Sequence, residues 1–268
     1  MYSNKENVNI LTALLVKEKI TKAVVCPGSR NSPIVHNLCT CPDIECFPVT
    51  DERSAGFVAL GMTLADNDPV VVCVTSGSAL LNVAPAAAEA YYQNRPLIII
   101  SADRPTQWID QQDGQTIQQH QTLEPNVRKS VTLPEPHNEE EHWFCNRLIN
   151  EALHATRLNG GGPVHINVPI SEPLFEYNVP QLPNERKISL HPASTDDNYV
   201  YEMAADFLVQ KLGEGAEVAE LEGIPGASAT RERGEGFHNI ADNKLKVLAK
   251  QSADFDRSKG LTVAENMI

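Results

Sequence analysis

Basic residues are scarce in this chain. Lys and Arg number 22 against 35 Asp and Glu, a formal net charge of −13 at pH 7. No basic run exists that could neutralise phosphates, so neither nucleic acid nor an anionic membrane is an expected partner. Long apolar runs are missing as well, and none approaches the roughly 20 residues that a membrane-spanning helix needs. The polar start, Met1-Tyr2-Ser3-Asn4-Lys5-Glu6-Asn7, has no positive patch, apolar core and cleavage site in succession, so no export signal is read. The six cysteines, at positions 26, 39, 41, 46, 73 and 145, form no small-domain disulfide framework and favour a reducing cytoplasm. Cys39, Cys41 and Cys46 crowd one loop, but their spacing matches no common zinc pattern, and no metal site is expected from this chain. The histidines at 36, 120, 137, 142, 154 and 165 show no nucleophile or metal spacing; only His120, near Gln115, lies close to a candidate site.

What is present is an alternation of helix-period and strand-period segments at ordinary globular composition, 41% hydrophobic and 21% charged. Strands are expected at 23–25, 45–49, 70–74, 97–101, 127–133 and 164–168. Helices are expected at 8–19, 31–38, 54–65, 79–92 and 139–158. Strands this apolar on both faces belong to a buried parallel sheet, so residues 1–170 read as a doubly wound α/β domain. Its ligand site belongs at the carboxyl edge of the sheet. Residues 171–192 turn Pro-rich (Pro173, Pro180, Pro183, Pro192) and read as a linker or trailing strap. Beyond it, residues 193–268 read as a partial α/β unit, helix 198–211, strand 217–221, helix 230–242, strand 246–249 and helix 257–267. Two strands in so short a unit bury little surface.

Charged and small residues cluster where the strands end. Val24-Val25 leads into Cys26-Pro27-Gly28-Ser29-Arg30, and Phe47-Pro48-Val49 leads into Thr50-Asp51-Glu52-Arg53, so Arg30 and Glu52 should emerge at the carboxyl edge. A guanidinium grips a carboxylate at two points and stays charged when partly buried, which suits Arg30 to a dicarboxylate ligand. Arg104 follows the next apolar strand, where it could equally pair with Asp103 or Glu89. In Thr75-Ser76-Gly77, with Asn82 beyond, small residues let backbone approach a flat ring; the glycine could equally just cap a tight turn. Glu52 could also be a helix N-terminal carboxylate favoured by the helix dipole.

The ordered runs CPGSRNSP, TDERSAGF, VTSGSALLN, EAYYQNRPLIIISADRP, Gly114-Gln115 and GPVHINVPISEPL, over about residues 1–190, resemble the pyrimidine-binding (PYR) domain of the menaquinone-pathway thiamine-diphosphate synthases, the MenD family. The resemblance implies a transferase that joins 2-oxoglutarate to isochorismate with loss of CO₂. It implies that Glu52 is the carboxylate that hydrogen-bonds the cofactor's aminopyrimidine and relays its proton. It further implies that Ser29, Arg30, Arg104 and Gln115 hold isochorismate, and that Pro27, Thr75, Gly77 and Asn82 line the cofactor pocket. A homo-oligomer through the PYR domain follows too, because each family site lies between two subunits. Other thiamine-diphosphate decarboxylases and carboligases are the alternative; acetolactate-synthase-like relatives usually read His-Glu followed by a small residue where this chain reads Asp51-Glu52-Arg53.

In the family the diphosphate and its Mg²⁺ or Mn²⁺ are held by a last domain opening on Gly-Asp, and this chain contains no Gly-Asp dipeptide. The expectation is therefore half a site and no turnover by this chain alone. Residues from about 191 onward resemble an internal segment of ribose-type periplasmic sugar-binding proteins, with Arg233 and Phe255 at sugar-facing positions. Two partial domains from different compartments read as a chimera.

Overall fold

The computed structural model describes residues 1–188 and 197–267. The chain divides into two compact units, Met1–Ser189 and Leu190–Ile268. In the first, elements follow as α1 (Glu6–Lys17), β1 (Lys22–Val25), α2 (Ser32–Thr40), β2 (Glu45–Pro48), α3 (Glu52–Asp66), β3 (Val70–Val74), α4 (Ser78–Tyr92), β4 (Leu97–Asp103), β5 (Lys129–Thr132), α5 (Glu139–Ala155) and β6 (Val164–Pro169). The six strands pair in parallel in the order β2-β1-β3-β4-β6-β5.

The period of two in the strands sorts their side chains onto two faces. Val25, Val71, Cys73, Ile98, Ile100 and Ile166 join one buried cluster with α1, α2 and α5. Val24, Val72, Val74, Leu97 and Ile99 join the other with α3 and α4. Strands covered on both faces must be apolar throughout, as β3 and β4 are.

The chain proceeds outward from β1 to β2 on one side and from β3 to β4 on the other. The direction of winding therefore reverses between β1 and β3, and a crevice opens at their carboxyl ends. Cys26-Pro27-Gly28-Ser29-Arg30 and Thr75-Ser76-Gly77 both lie there.

Some boundaries differ from expectation for local reasons. α3 begins two residues early, at Glu52, because the Asp51 side chain accepts the Ser54 N–H at 2.7 Å and caps it. α5 stops at Ala155, and a short 3-10 turn at Leu158–Gly160 follows, with Gly160, Gly161 and Gly162 all at positive φ. The segment expected as a linker or trailing strap runs, as far as residue 188, along the first unit. Tyr2 and Val179 exchange backbone hydrogen bonds of 2.6 and 3.1 Å, Leu174 is buried, and the Glu185 carboxylate accepts from Asn146 at 2.6 Å. Residues 189–192 of that segment lie outside the described residues.

The second unit contains α6 (Asp197–Leu212), β7 (Glu217–Glu222), α7 (Ser228–Lys244), β8 (Lys246–Ser252) and α8 (Arg257–Met267), with β7 and β8 parallel. Its buried apolar side chains, among the described residues, are Ala205, Ala241, Leu245 and Ala253. Phe207, Leu212, Leu221, Ile224, Leu248 and Leu261 are exposed, so the two-stranded sheet is thinly covered. Among the described residues no helix is long and apolar enough to cross a membrane.

Candidate functional site

The turn after β1 is tied into the sheet by main chain and one amide. Cys26 N–H donates to Cys73 O at 2.9 Å, and Asn31 Nδ2 donates to Cys26 O at 2.9 Å. Gly28 leaves no room for a side chain, since an added Cβ would lie 2.5 Å from the Thr75 Cβ. The β1 and β3 turns thus touch across the crevice. Thr75 Oγ1, Ser76 Oγ, Asn31 Oδ1 and Arg30 Nε are buried without a hydrogen-bond partner, a concentration of unused polar groups that suits a polar ligand.

Gly77 takes φ +80 and ψ −141, a conformation open essentially to glycine alone, and a Cβ there would meet the Gln115 backbone at 2.9 Å. Gln115, itself at φ +55, therefore lies directly over the β3 turn. Gln119 locks this arrangement: its Oε1 accepts Gly77 N–H at 2.7 Å, and its Nε2 donates to Ala102 O at 3.0 Å and Asn167 Oδ1 at 2.7 Å. Asn167 Nδ2 in turn donates to Asp103 Oδ2 at 2.7 Å. Burial pushes the Asp103 carboxyl up to about 6, against the lowering effects of Asn167 and Arg30.

Glu52 stands at the first helical position of α3, partly exposed. Burial pushes the Cys26 thiol up to about 12, with the Glu52 and Asp51 carboxylates adding to the effect, so the end of β1 and the start of α3 are electrostatic neighbours.

Arg30 is 5% exposed. Its Nη1 donates to Ile170 O at 2.7 Å, and its Nη2 lies 2.9 Å from Glu172 Oε1. Arg104 does not pair with Glu89 or through its guanidinium with Asp103. Its Nε lies 3.0 Å from Asp113 Oδ2, its Nη2 donates to Gly114 O at 3.2 Å, and its Nη1 stands 4.0 Å from the same Glu172 oxygen. Both arginines line one cleft of about 320 Å³ with Trp108, Asp113 and Glu172.

The fold thus brings Arg30 to Arg104, and Gly77 to Gln115, at one sheet edge. Ser29 and Pro27 are exposed on the β1 turn, while Asn82 is exposed on α4 with no contact to the others. His120 bonds Thr132 at 3.1 Å and takes no part. In the second unit the Arg233 guanidinium stands 5.4 Å from the Phe255 ring centroid and 5.6 Å from that of Tyr201, around a cleft of about 230 Å³. The Phe255 ring fills the space where a Gly223 side chain would be.

Asp103, Gln119, Asn167 and Glu172 escaped the sequence reading. Gln119 had one available signal, its place in the Gln-rich loop shortly after Gln115. Glu172 falls within the run GPVHINVPISEPL, but nothing local points it to Arg30, because that contact joins distant segments, as the Arg30 bond to neighbouring Ile170 does.

Known proteins place this geometry in a lineage. The family profile described as the thiamine pyrophosphate enzyme N-terminal TPP binding domain matches residues 6–124. The 2-succinyl-5-enolpyruvyl-6-hydroxy-3-cyclohexene-1-carboxylate synthase of Bacteroides thetaiotaomicron is 53% identical over 212 residues, 79% of this chain and 38% of the relative. That of Porphyromonas gingivalis is 42% identical over 189 residues, 70% of this chain and 33% of the relative. The chain therefore spans less than two-fifths of the length of these relatives. Among solved structures, the thiamine diphosphate-dependent 4-hydroxybenzoylformate decarboxylase of Rhodococcus jostii superposes with a TM-score of 0.53 at 21% identity, over 80% of this chain and 39% of that one. The benzoylformate decarboxylase of Polynucleobacter necessarius gives 0.54 at 21% identity, over 83% and 39%. At that identity the likeness establishes the shared fold. Residues 6–124 of the chain thus match the N-terminal TPP binding domain of thiamine pyrophosphate enzymes, and the chain is similar in sequence to 2-succinyl-5-enolpyruvyl-6-hydroxy-3-cyclohexene-1-carboxylate synthases.

Proposed function

We propose that this chain supplies the pyrimidine-side half of a thiamine-diphosphate site in a synthase that joins 2-oxoglutarate to isochorismate. The observation that carries the reading is the meeting of Glu52, the Gly28–Thr75 contact and the Arg30–Arg104 pair at one sheet edge, at the point where the strand order reverses. Thiamine diphosphate, when bound, would supply a nucleophilic carbon, and the residues of this edge would hold its pyrimidine side. Glu52 holds a proton against the aminopyrimidine ring, a task that requires the site to be dry. Pro27, Thr75 and Gly77 form the wall that the ring approaches, with the buried Thr75 Oγ1 available to it. Arg30 and Arg104 grip substrate carboxylates, and Ser29 and Gln115 flank them.

Glu52 is partly exposed in the single chain, and the neighbouring helix faces carry exposed Phe57, Val58, Leu64 and Leu81. A second subunit covering α3 and α4 would bury these side chains and dry the carboxylate. The divalent metal and diphosphate belong to the part of the relatives that this chain does not span, so the 268-residue chain alone is expected to show no turnover with thiamine diphosphate and Mg²⁺. All six cysteines are unpaired thiols, which supports work in the cytoplasm.

Saturation-transfer NMR on the pyrimidine methyl group of thiamine tests the reading. The chain is expected to give a transfer signal that falls at least tenfold in Glu52→Gln; no signal from the wild-type chain contradicts it.

A second reading attaches to the second unit, whose cleft between Arg233, Tyr201 and Phe255 has the size and mixed character to take a small sugar. Calorimetric titration with ribose would give micromolar binding lost in Arg233→Ala; absence of heat removes this reading.

A further inference from the structure

The cleft at Arg30 and Arg104 already contains a carboxylate in the place where a ligand's would go. Glu172 Oε1 lies 2.9 Å from Arg30 Nη2 and 4.0 Å from Arg104 Nη1, so one oxygen faces both guanidinium groups. Asp113 faces Arg104 alone, at 3.0 Å. Two cations thus meet two acids, and the cleft has no net charge with which to attract an anion.

The two acids are not equivalent. Arg30 is nearly buried, whereas the Glu172 side chain is 67% exposed, so this carboxylate can turn into water at little cost to itself while the buried guanidinium it leaves calls for another anion. Arg30 would not be released by that movement. Its Nη1 remains tied to the Ile170 carbonyl at 2.7 Å, and Ile170 is held by its own N–H on Asp103 O at 3.1 Å. The buried Arg30 Nε, without a partner, stays beside it as a further donor.

We propose that Glu172 is a resident placeholder for the carboxylate of an anionic ligand and sets the affinity of this cleft. It keeps the guanidinium pair converged while the cleft is open, and a ligand binds only by displacing it. A dicarboxylate gains both arginines at once and can replace the single bridging oxygen, whereas a monocarboxylate offers little that Glu172 does not already provide. This rests on the reading that Arg30 and Arg104 grip carboxylates.

Trp108 lines the cleft, and Trp143 is the chain's other indole. Quenching of Trp108 fluorescence in the full-length chain carrying Trp143→Phe therefore reports binding, with isophthalate as the probe. Glu172→Gln, which keeps the shape and removes the charge, is expected to bind isophthalate about tenfold tighter and benzoate about threefold tighter. Glu172→Asp retains the charge but is too short to span both arginines, and should fall between. Glu176→Gln, a charge change on the same strap that bonds Asn4 instead, should leave affinity unchanged. Equal affinity in wild type and Glu172→Gln, or an equal gain in Glu176→Gln, overturns the placeholder while leaving the arginine grip intact. Binding that survives Arg30→Gln and Arg104→Gln, or no binding in any variant, overturns both.

Discussion

Asp103 and His165 share one buried hydrogen-bond network with opposite consequences for acid stability. Ser101 Oγ connects them, lying 2.8 Å from His165 Nε2 and 2.8 Å from Asn167 Oδ1, whose amide holds Asp103. Burial pushes the His165 ring down to about 3, so the folded chain binds its proton less readily than the unfolded one and loses stability as pH falls from about 6.5 towards 3. Asp103, pushed up to about 6, binds its proton more readily when folded. Its contribution therefore grows as pH falls from about 6 to about 4 and is absent above that window. Two pKa units correspond to roughly 3 kcal/mol, so Asp103→Asn should lose up to that much more stability than wild type between pH 6 and pH 4. Urea titrations at both pH values measure it, and parallel pH profiles would contradict it. From sequence, Asp103 is just a neighbour for Arg104, because nothing local reveals that Asn167, from a strand that comes two strands later in the chain, will bury and bond it. Arg30 and Glu52 are legible because each directly follows a strand, where the fold leaves side chains no destination but the sheet edge.

At the scale of elements, the β1 and β3 turns each contain a glycine where an added Cβ would clash, Gly28 with Thr75 and Gly77 with the Gln115 backbone. Gly77→Ala forces a Cβ into the Gln115 backbone at a positive φ, and strain of that kind costs about 1–3 kcal/mol. The variant should melt lower, and its Gly77-equivalent amide should lose the hydrogen-exchange protection that the Gln119 side chain gives it. Unchanged melting and exchange would show that the turn carries no strain-sensitive contact. Strands β3 and β4 and helices α3 and α4 are visible in the sequence because their apolar periods are long, and α3 also has its Asp51 cap. The stretch 127–133 reads as one strand, yet only Lys129–Thr132 pairs. Val127 is drawn into the α3 and α4 side of the core, and Arg128 is held by Gly161 O at 3.0 Å and Asn94 Oδ1 at 2.6 Å, tertiary contacts that no local pattern announces.

For the molecule as a whole, the two units differ sharply in what they bury. The first encloses a six-stranded sheet between two apolar layers, while the second buries three alanines and one leucine among the described residues. Urea should therefore unfold the chain in two steps, the second unit first, with protease cleavage beyond residue 197 preceding cleavage within the sheet domain. A single cooperative transition would contradict this. Under the proposed function, this enclosed sheet domain supplies the pyrimidine side of a site shared with a partner subunit. That claim is tested most directly by mixing this chain with the Bacteroides thetaiotaomicron synthase whose own cofactor-facing glutamate has been replaced by glutamine, and measuring product formation from 2-oxoglutarate and isochorismate. The account predicts that the wild-type chain restores activity and that Glu52→Gln restores at least about 100-fold less, the scale of a lost proton-relaying group. Equal rescue by both chains, or rescue by neither, would contradict it.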